Sequence, residues 1–150
     1  MSVSRNLVSE SRIKVLEIVH KAGTSHIGSN FSCAEIMAAI FDKIDMERDR
    51  FILSKGWAAA MLYFHLWKKG RISKDELESY CQPGSKFIGL AEPIINEIPF
   101  AGGSMCMGLA AGVGFAKSMK LQRKPGRVYV LESDGGMNGG LTWEAIALAA

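Results

Sequence analysis

The chain has 150 residues, 48% of them hydrophobic and 22% charged, with a formal net charge of +3. That length supports one domain with its own core, in the composition range of ordinary globular proteins. The charges are scattered without a dense Lys/Arg run, and no apolar stretch reaches the length of a membrane helix, which sets aside nucleic-acid and membrane partners.

A first helix is expected to start near Ser9 or Ser11 and stop at Gly23, with Ile13, Leu16, Val19 and His20 on one face. A polar loop, GTSHIGSN, follows over residues 23–30. Ser32 and Glu35 have the Ser-x-x-Glu spacing of a capping box, opening a second helix that runs to Phe41. RFILS (residues 50–54) reads as a short buried strand, and Gly56 opens an apolar helix ending at Gly70. Ser73 and Glu76 repeat the capping box for a short amphipathic helix ending near Tyr80. Residues 82–103 read as one long loop, punctuated by prolines and glycines, and loops of that length are often functional. Residues 104–120 form a helix rich in Gly and Ala, suited to tight packing on a sheet. RVYVLES (residues 127–133) is the clearest strand.

Strands separated by helices predict an α/β fold, a mostly parallel sheet with helices on both faces, incomplete at the C-terminus. Residues 1–150 are taken as the N-terminal part of one domain, with no internal repeat or linker. The closing helix TWEAIALAA has no Gly, Pro or cationic stop, and reads as cut. Cys33, Cys81 and Cys106 are odd in number and lack paired spacing, which predicts reduced thiols in a cytoplasmic protein and no zinc site. The opening residues, MSVSR, lack the apolar core of a signal peptide.

The richest chemical signal is Asp134, set among glycines in LESDGGMNGG (residues 131–140) at the expected carboxyl end of a strand, where ligands of such sheets bind. Glycines let the backbone approach a ligand, and a following helix start offers free N–H groups to an anion. A carboxylate there would repel a bare phosphate, unless Mg²⁺ or Ca²⁺ joins carboxylate and phosphate oxygens. The other reading is a turn Asp bonded to its own backbone. Asp134 is expected on a loop, and a helical Asp134 would remove the metal reading. The G-x-G-x-x-G and P-loop patterns are absent.

Five ordered blocks resemble the transketolase family. ESDGGMNGGLTWEAIALAA is similar to its thiamine diphosphate motif, Gly-Asp-Gly running into a Trp-Glu-Ala helix. KAGTSHIGSNFSCAEIMAAIF is similar to its SGHxG region, and DRFILSKGWAAAMLYFHL to DRFxLSKGHxxxxLY. YCQPGSKFIGLAEP resembles RQxGSxxxGHPE, and GGSMCMGLAAGVGFAKSMKL resembles TGSLGQGLxxAxGxAxAxKL.

The resemblance implies a thiamine diphosphate enzyme, with Mg²⁺ (or Ca²⁺), that transfers a two-carbon ketol unit between sugar phosphates. It implies Asp134 as metal ligand and Gly135 beside the diphosphate. Gly103, Ser104, Met105 and Gly108 match a turn near the cofactor rings, and His26 a proton-handling histidine. Glu144 matches an acid near a subunit interface, or is a solvated first-turn acid. His20 and His65 match no site position.

Several positions depart from the family. Its second histidine is Trp57 here, expected to line the cleft or fill it, and its third is Leu90. Its Gly-Gln pair is Cys106-Met107, the first glycine of Gly-Asp-Gly is Ser133, and an acid after the metal Asp is Gly139. A second metal ligand and the pyrimidine-binding half fall beyond Ala150 in the family. The resemblance therefore implies a truncated or split form that needs a pyrimidine-binding C-terminal partner half, as a homo- or hetero-oligomer. The rival expectations are a deoxyxylulose-phosphate synthase, a 2-oxo acid dehydrogenase component or a non-catalytic scaffold subunit.

Overall fold

A computed structural model describes residues 5–150, so the leader reading of residues 1–4 lies outside the described residues. The chain runs α1 (Arg5–Ala22), α2 (Ile27–Phe31), α3 (Ala34–Lys43), β1 (Arg50–Leu53), α4 (Ala59–Lys68), α5 (Lys74–Glu78), α6 (Met107–Leu121), β2 (Val128–Leu131), α7 (Asp134–Met137) and α8 (Gly140–Ala149).

β1 and β2 pair in parallel, Arg50 opposite Val128 and Leu53 opposite Leu131. Side chains alternate across the two faces. Phe51, Leu53, Tyr129 and Leu131 join the main core, where the Phe51 ring meets Phe41 of α3 edge-on at 5.1 Å. Ile52, Val128 and Val130 face α6. A Cβ on Gly112 would stand 2.5 Å from the Val130 side chain, so the glycine lets α6 lie close on the sheet. The parallel sheet flanked by helices agrees with the α/β expectation, with two strands among the described residues.

α4 is buried from Ala59 to Leu66 with no exposed stripe, as befits a helix at the centre of a core. α1 and α3 pack around it, with Val15, Met37 and Phe64 fully buried, each contributing about 1.5–3 kcal/mol.

Three local expectations need correction. α1 is already helical at Arg5, the first described residue, and buries Val8, Ser11, Val15, Ile18 and Val19, whereas Ile13 and Leu16 are 61% and 51% exposed and His20 is exposed. Two apolar stripes have helical spacing on this helix. The buried one tolerates Ser11 because its hydroxyl donates to the Val8 carbonyl at 2.7 Å. Second, the polar loop contains α2, a helical turn entered through His26 in a left-handed conformation (φ 73°). Third, no Ser32–Glu35 capping box forms. Cys33 is the N-cap of α3, and Glu35 is drawn instead to Arg12 of α1 at 2.7 Å. The Ser73–Glu76 box forms with both of its bonds.

The long loop between α5 and α6 is held by a backbone braid. Gly56 N–H donates to the Gly102 carbonyl, Gly102 N–H to Ala91, and Ala91 N–H to Gly56, at 2.9, 2.9 and 3.0 Å. A Cβ on Gly56 or Gly102 would collide with the other residue's backbone. This crossing brings the end of the loop against the chain leaving β1.

Candidate active site

The carboxyl ends of β1 and β2 open into a cleft of about 480 Å³. Four separate segments build it. Ser29 and Ser32 come from α2 and its end, and Ser54, Lys55 and Trp57 follow β1. Gly102, Gly103 and Met105 end the long loop, and Ser133, Asp134 and Gly135 follow β2.

Asp134 is the first residue of α7, a single helical turn, so the expected open loop is corrected. A helical Asp134 is the outcome that removes the metal reading, and by that criterion the helical turn counts against it. This turn is four residues long, and Asp134 remains exposed at the cleft. Asn138 Nδ2 donates to the Asp134 backbone carbonyl at 3.2 Å, a bond that does not involve the carboxylate. Ser133 caps the turn, its Oγ accepting from Gly136 N–H at 2.9 Å.

Among the described residues no three His, Cys, Asp or Glu side chains gather into a metal-binding group. A single carboxylate is nonetheless a usual protein share for Mg²⁺, which takes its remaining oxygens from phosphate and water. Asp134, the exposed backbone of Gly103 and Gly135, and a cleft of this size together fit the metal–diphosphate end of a cofactor. Lys55 is the cationic lining residue, and its Nζ donates to Ser32 Oγ at 2.9 Å.

Trp57 lines the cleft and is 47% exposed. Its ring stacks on His26, centroids 4.6 Å apart and planes 15° from parallel. The rim is therefore an open aromatic wall. Leu90 packs instead beneath Gly56 and Gly103, and Met105 is 64% exposed with its sulfur over Gly135.

Gly103, Met105, Trp57, Asp134 and Gly135 thus meet at one cleft, with His26 joined to it through Trp57. Ser104 is exposed and does not line it. Gly108 is buried beneath, where a Cβ would collide with Ser54. Glu144 is exposed on α8, outside the lining. His65 is buried in α4, stacked on Phe41 at 4.9 Å, a core histidine.

Sequence reasoning missed Asn30 and Glu132. Asn30 is fully buried, and its Nδ2 donates to the carbonyls of His26 and Trp57 at 2.9 and 3.3 Å. Its Oδ1 accepts from Met61 N–H at 2.8 Å. Glu132 accepts from Ser54 Oγ at 2.5 Å and from its neighbour Ser133 N–H at 3.0 Å. Neither carries a local pattern that would single it out.

The chain matches the family described as transketolase, thiamine diphosphate binding domain, over residues 3–150. It is 32% identical to one subunit of the apulose-4-phosphate transketolase of Phocaeicola vulgatus, across 91% of this chain and 52% of that protein. A 6-deoxy-6-sulfo-D-fructose transketolase subunit, SqwG of Clostridium sp., is also 32% identical, across 89% of this chain and 52% of its own length. Human transketolase is 34% identical, across 97% of this chain and 25% of that protein. The chain therefore spans about half the length of the two subunits, and a quarter of the human enzyme. The crystal structure of Campylobacter jejuni transketolase superposes with a TM-score of 0.91 at 27% identity, covering 99% of this chain and 26% of that one. The family match across almost the whole chain and the shared fold agree with the cleft, and the chain belongs to the transketolase thiamine diphosphate-binding domain family.

Proposed function

We propose that this chain supplies the diphosphate-binding side of a transketolase-type active site, working with a pyrimidine-binding half to transfer a two-carbon ketol unit between sugar phosphates. The observation that carries the reading is the meeting of four sequence-distant segments at one cleft, with Asp134 and Gly135 on one wall and Gly103 and Met105 on another. Asp134 would hold Mg²⁺ or Ca²⁺ against a diphosphate, and Gly135 and Gly103 would let the cofactor approach the backbone. Thiamine diphosphate, when bound, supplies the carbon nucleophile of the family's chemistry. His26 would hold or move a proton at the substrate oxygens.

Two relatives named as transketolase subunits support the need for a partner chain. The three cysteines, all free, suit a reducing cytoplasm. A second reading, as a non-catalytic component, rests on Trp57 and Leu90, which put apolar side chains at two positions where the family has histidines.

The test is calorimetry with thiamine diphosphate and Mg²⁺ on the chain assembled with its partner half, followed by a donor-ketose turnover assay. Binding that is lost in Asp134→Asn, with turnover in the parent, is the expected result. Binding without turnover would favour the non-catalytic reading. Binding unaffected by Asp134→Asn would remove the metal assignment.

A further inference from the structure

His26 occupies an exposed position on a left-handed backbone, where an imidazole would ordinarily sample several rotamers. Three features restrain it. Its Nδ1 lies 2.9 Å from Ser25 Oγ. Its ring lies flat on the Trp57 indole. Its carbonyl, like that of Trp57, accepts from Asn30 Nδ2.

Asn30 makes this more than a chance surface contact. It is fully buried, and its oxygen is tied to the backbone of α4 at Met61. One amide thereby fixes the backbones of both stacked residues relative to the rigid core. Nε2 is left as the ring nitrogen of His26 without a protein partner among the described residues. A group that handles protons must sit within hydrogen-bond reach of its target, and small misplacements cost rate steeply.

We propose that Trp57 and Asn30 are positioning residues for His26: the indole is a flat wall that fixes the imidazole plane, and the Asn30 amide fixes the wall and the imidazole together. The tryptophan that replaces a polar family residue is then a working part of a variant site. This inference rests on His26 as the proton-handling group.

The test has a spectroscopic arm and a kinetic arm. The chain contains three histidines, so the His26 ring resonances can be assigned with His26→Asn. An indole stacked on His26 shifts those protons upfield. The shift is expected to persist in part in Trp57→Phe and to vanish in Trp57→Ala. Asn30→Asp keeps the acceptor for Met61 but loses both donated bonds, and should weaken the shift while circular dichroism stays that of a folded chain. In the assembled enzyme, Trp57→Ala should lower kcat on the order of 10-fold with KM little changed, and Trp57→Phe should recover most of it. A His26 shift that survives Trp57→Ala, or a kcat equal to the parent's in that variant, overturns the positioning role. Unchanged turnover in His26→Asn would instead overturn the proton-handling reading, and the positioning role with it, while the resonances still report whether the rings stack.

Discussion

The thiol of Cys106 occupies the space that a side chain at Gly139 would need, its Sγ standing where a Cβ would be built. Cys106 is left-handed (φ 72°), a conformation natural to glycine, and it stands where the family has one. Gly139 stands where the family has an acid. The two departures are thus one exchange: a side chain appears at 106 and another vanishes at 139. Gly139→Ala should destabilise by about 1–3 kcal/mol through overpacking. Cys106→Gly should relieve the left-handed backbone by about 1 kcal/mol while giving up the packing of its thiol. The double variant should recover most of the loss, with a coupling of about 1 kcal/mol or more in urea midpoints. Simple additivity would mean that Cys106 swings aside freely and the exchange is not physical.

Gly136 has a similar neighbour. A Cβ there would collide with the carboxylate of Glu132, which is held by Ser54 and Ser133. Glu132→Ala strands the Ser133 N–H and the Ser54 hydroxyl, and should cost about 1–3 kcal/mol. Glu132→Gln keeps the shape and an acceptor, and should cost less. Gly136→Ala should be harmful alone and better tolerated beside Glu132→Ala, where the new methyl enters vacated space. Equal damage from Gly136→Ala in both backgrounds would contradict this packing.

These two pairs bear on what the sequence reveals. The glycines after Asp134 suggest a phosphate cradle, yet only Gly135 is exposed at the cleft, while Gly136 and Gly139 are small because Glu132 and Cys106 need the room. Local signals read well where the forces are local: the β1 and β2 runs, the Ser73–Glu76 cap and the small-residue face of α6 all form. They read poorly where distant groups compete. Arg12 takes Glu35 away from its expected cap, and Asn30 ties the polar segment of α2 to Trp57 and Met61. The site residues came from block resemblance: Asp134, Gly135, Gly103, Met105 and Trp57 line the cleft, whereas Ser104, Gly108 and Glu144 lie outside its lining.

The 150-residue chain by itself should bind thiamine diphosphate weakly. Asp134 is its lone acidic residue at the cleft, and no group of three metal-binding side chains forms among the described residues. Most of the cation's ligands would be water, and the cofactor's pyrimidine would lack the half that holds it in the family. Calorimetry of the isolated chain with Mg²⁺ is expected to show a dissociation constant well above micromolar. Micromolar binding would show that one carboxylate and the glycine backbone suffice.

His65 should make the fold less stable in mild acid. It is 1% exposed on α4, stacked on Phe41, and its Nε2 has no hydrogen-bond partner among the described residues. Burial, with a smaller repulsion from Lys69, lowers its pKa from 6.5 to about 4. In the unfolded chain it takes a proton near pH 6.5, while in the folded chain it stays neutral to about pH 4. Over that window the unfolded state binds more protons, so stability falls as pH falls, by about 2 kcal/mol at pH 5 and about 3 kcal/mol once the folded form also protonates. Glu76 acts lower on the scale. The Ser73 N–H, with help from Lys86, holds its carboxylate below the usual value of 4.5, so its contribution is present above 4.5 and lost beneath it. The substitution that separates the two is His65→Phe, which keeps a ring against Phe41 and removes the unpartnered nitrogen. Denaturant midpoints of parent and variant, measured from pH 7.5 to 4.5, should diverge steadily as pH falls, with the variant the more stable at the acid end. Parallel pH profiles would mean that His65 gains a partner or water when charged, and that its burial carries no acid penalty.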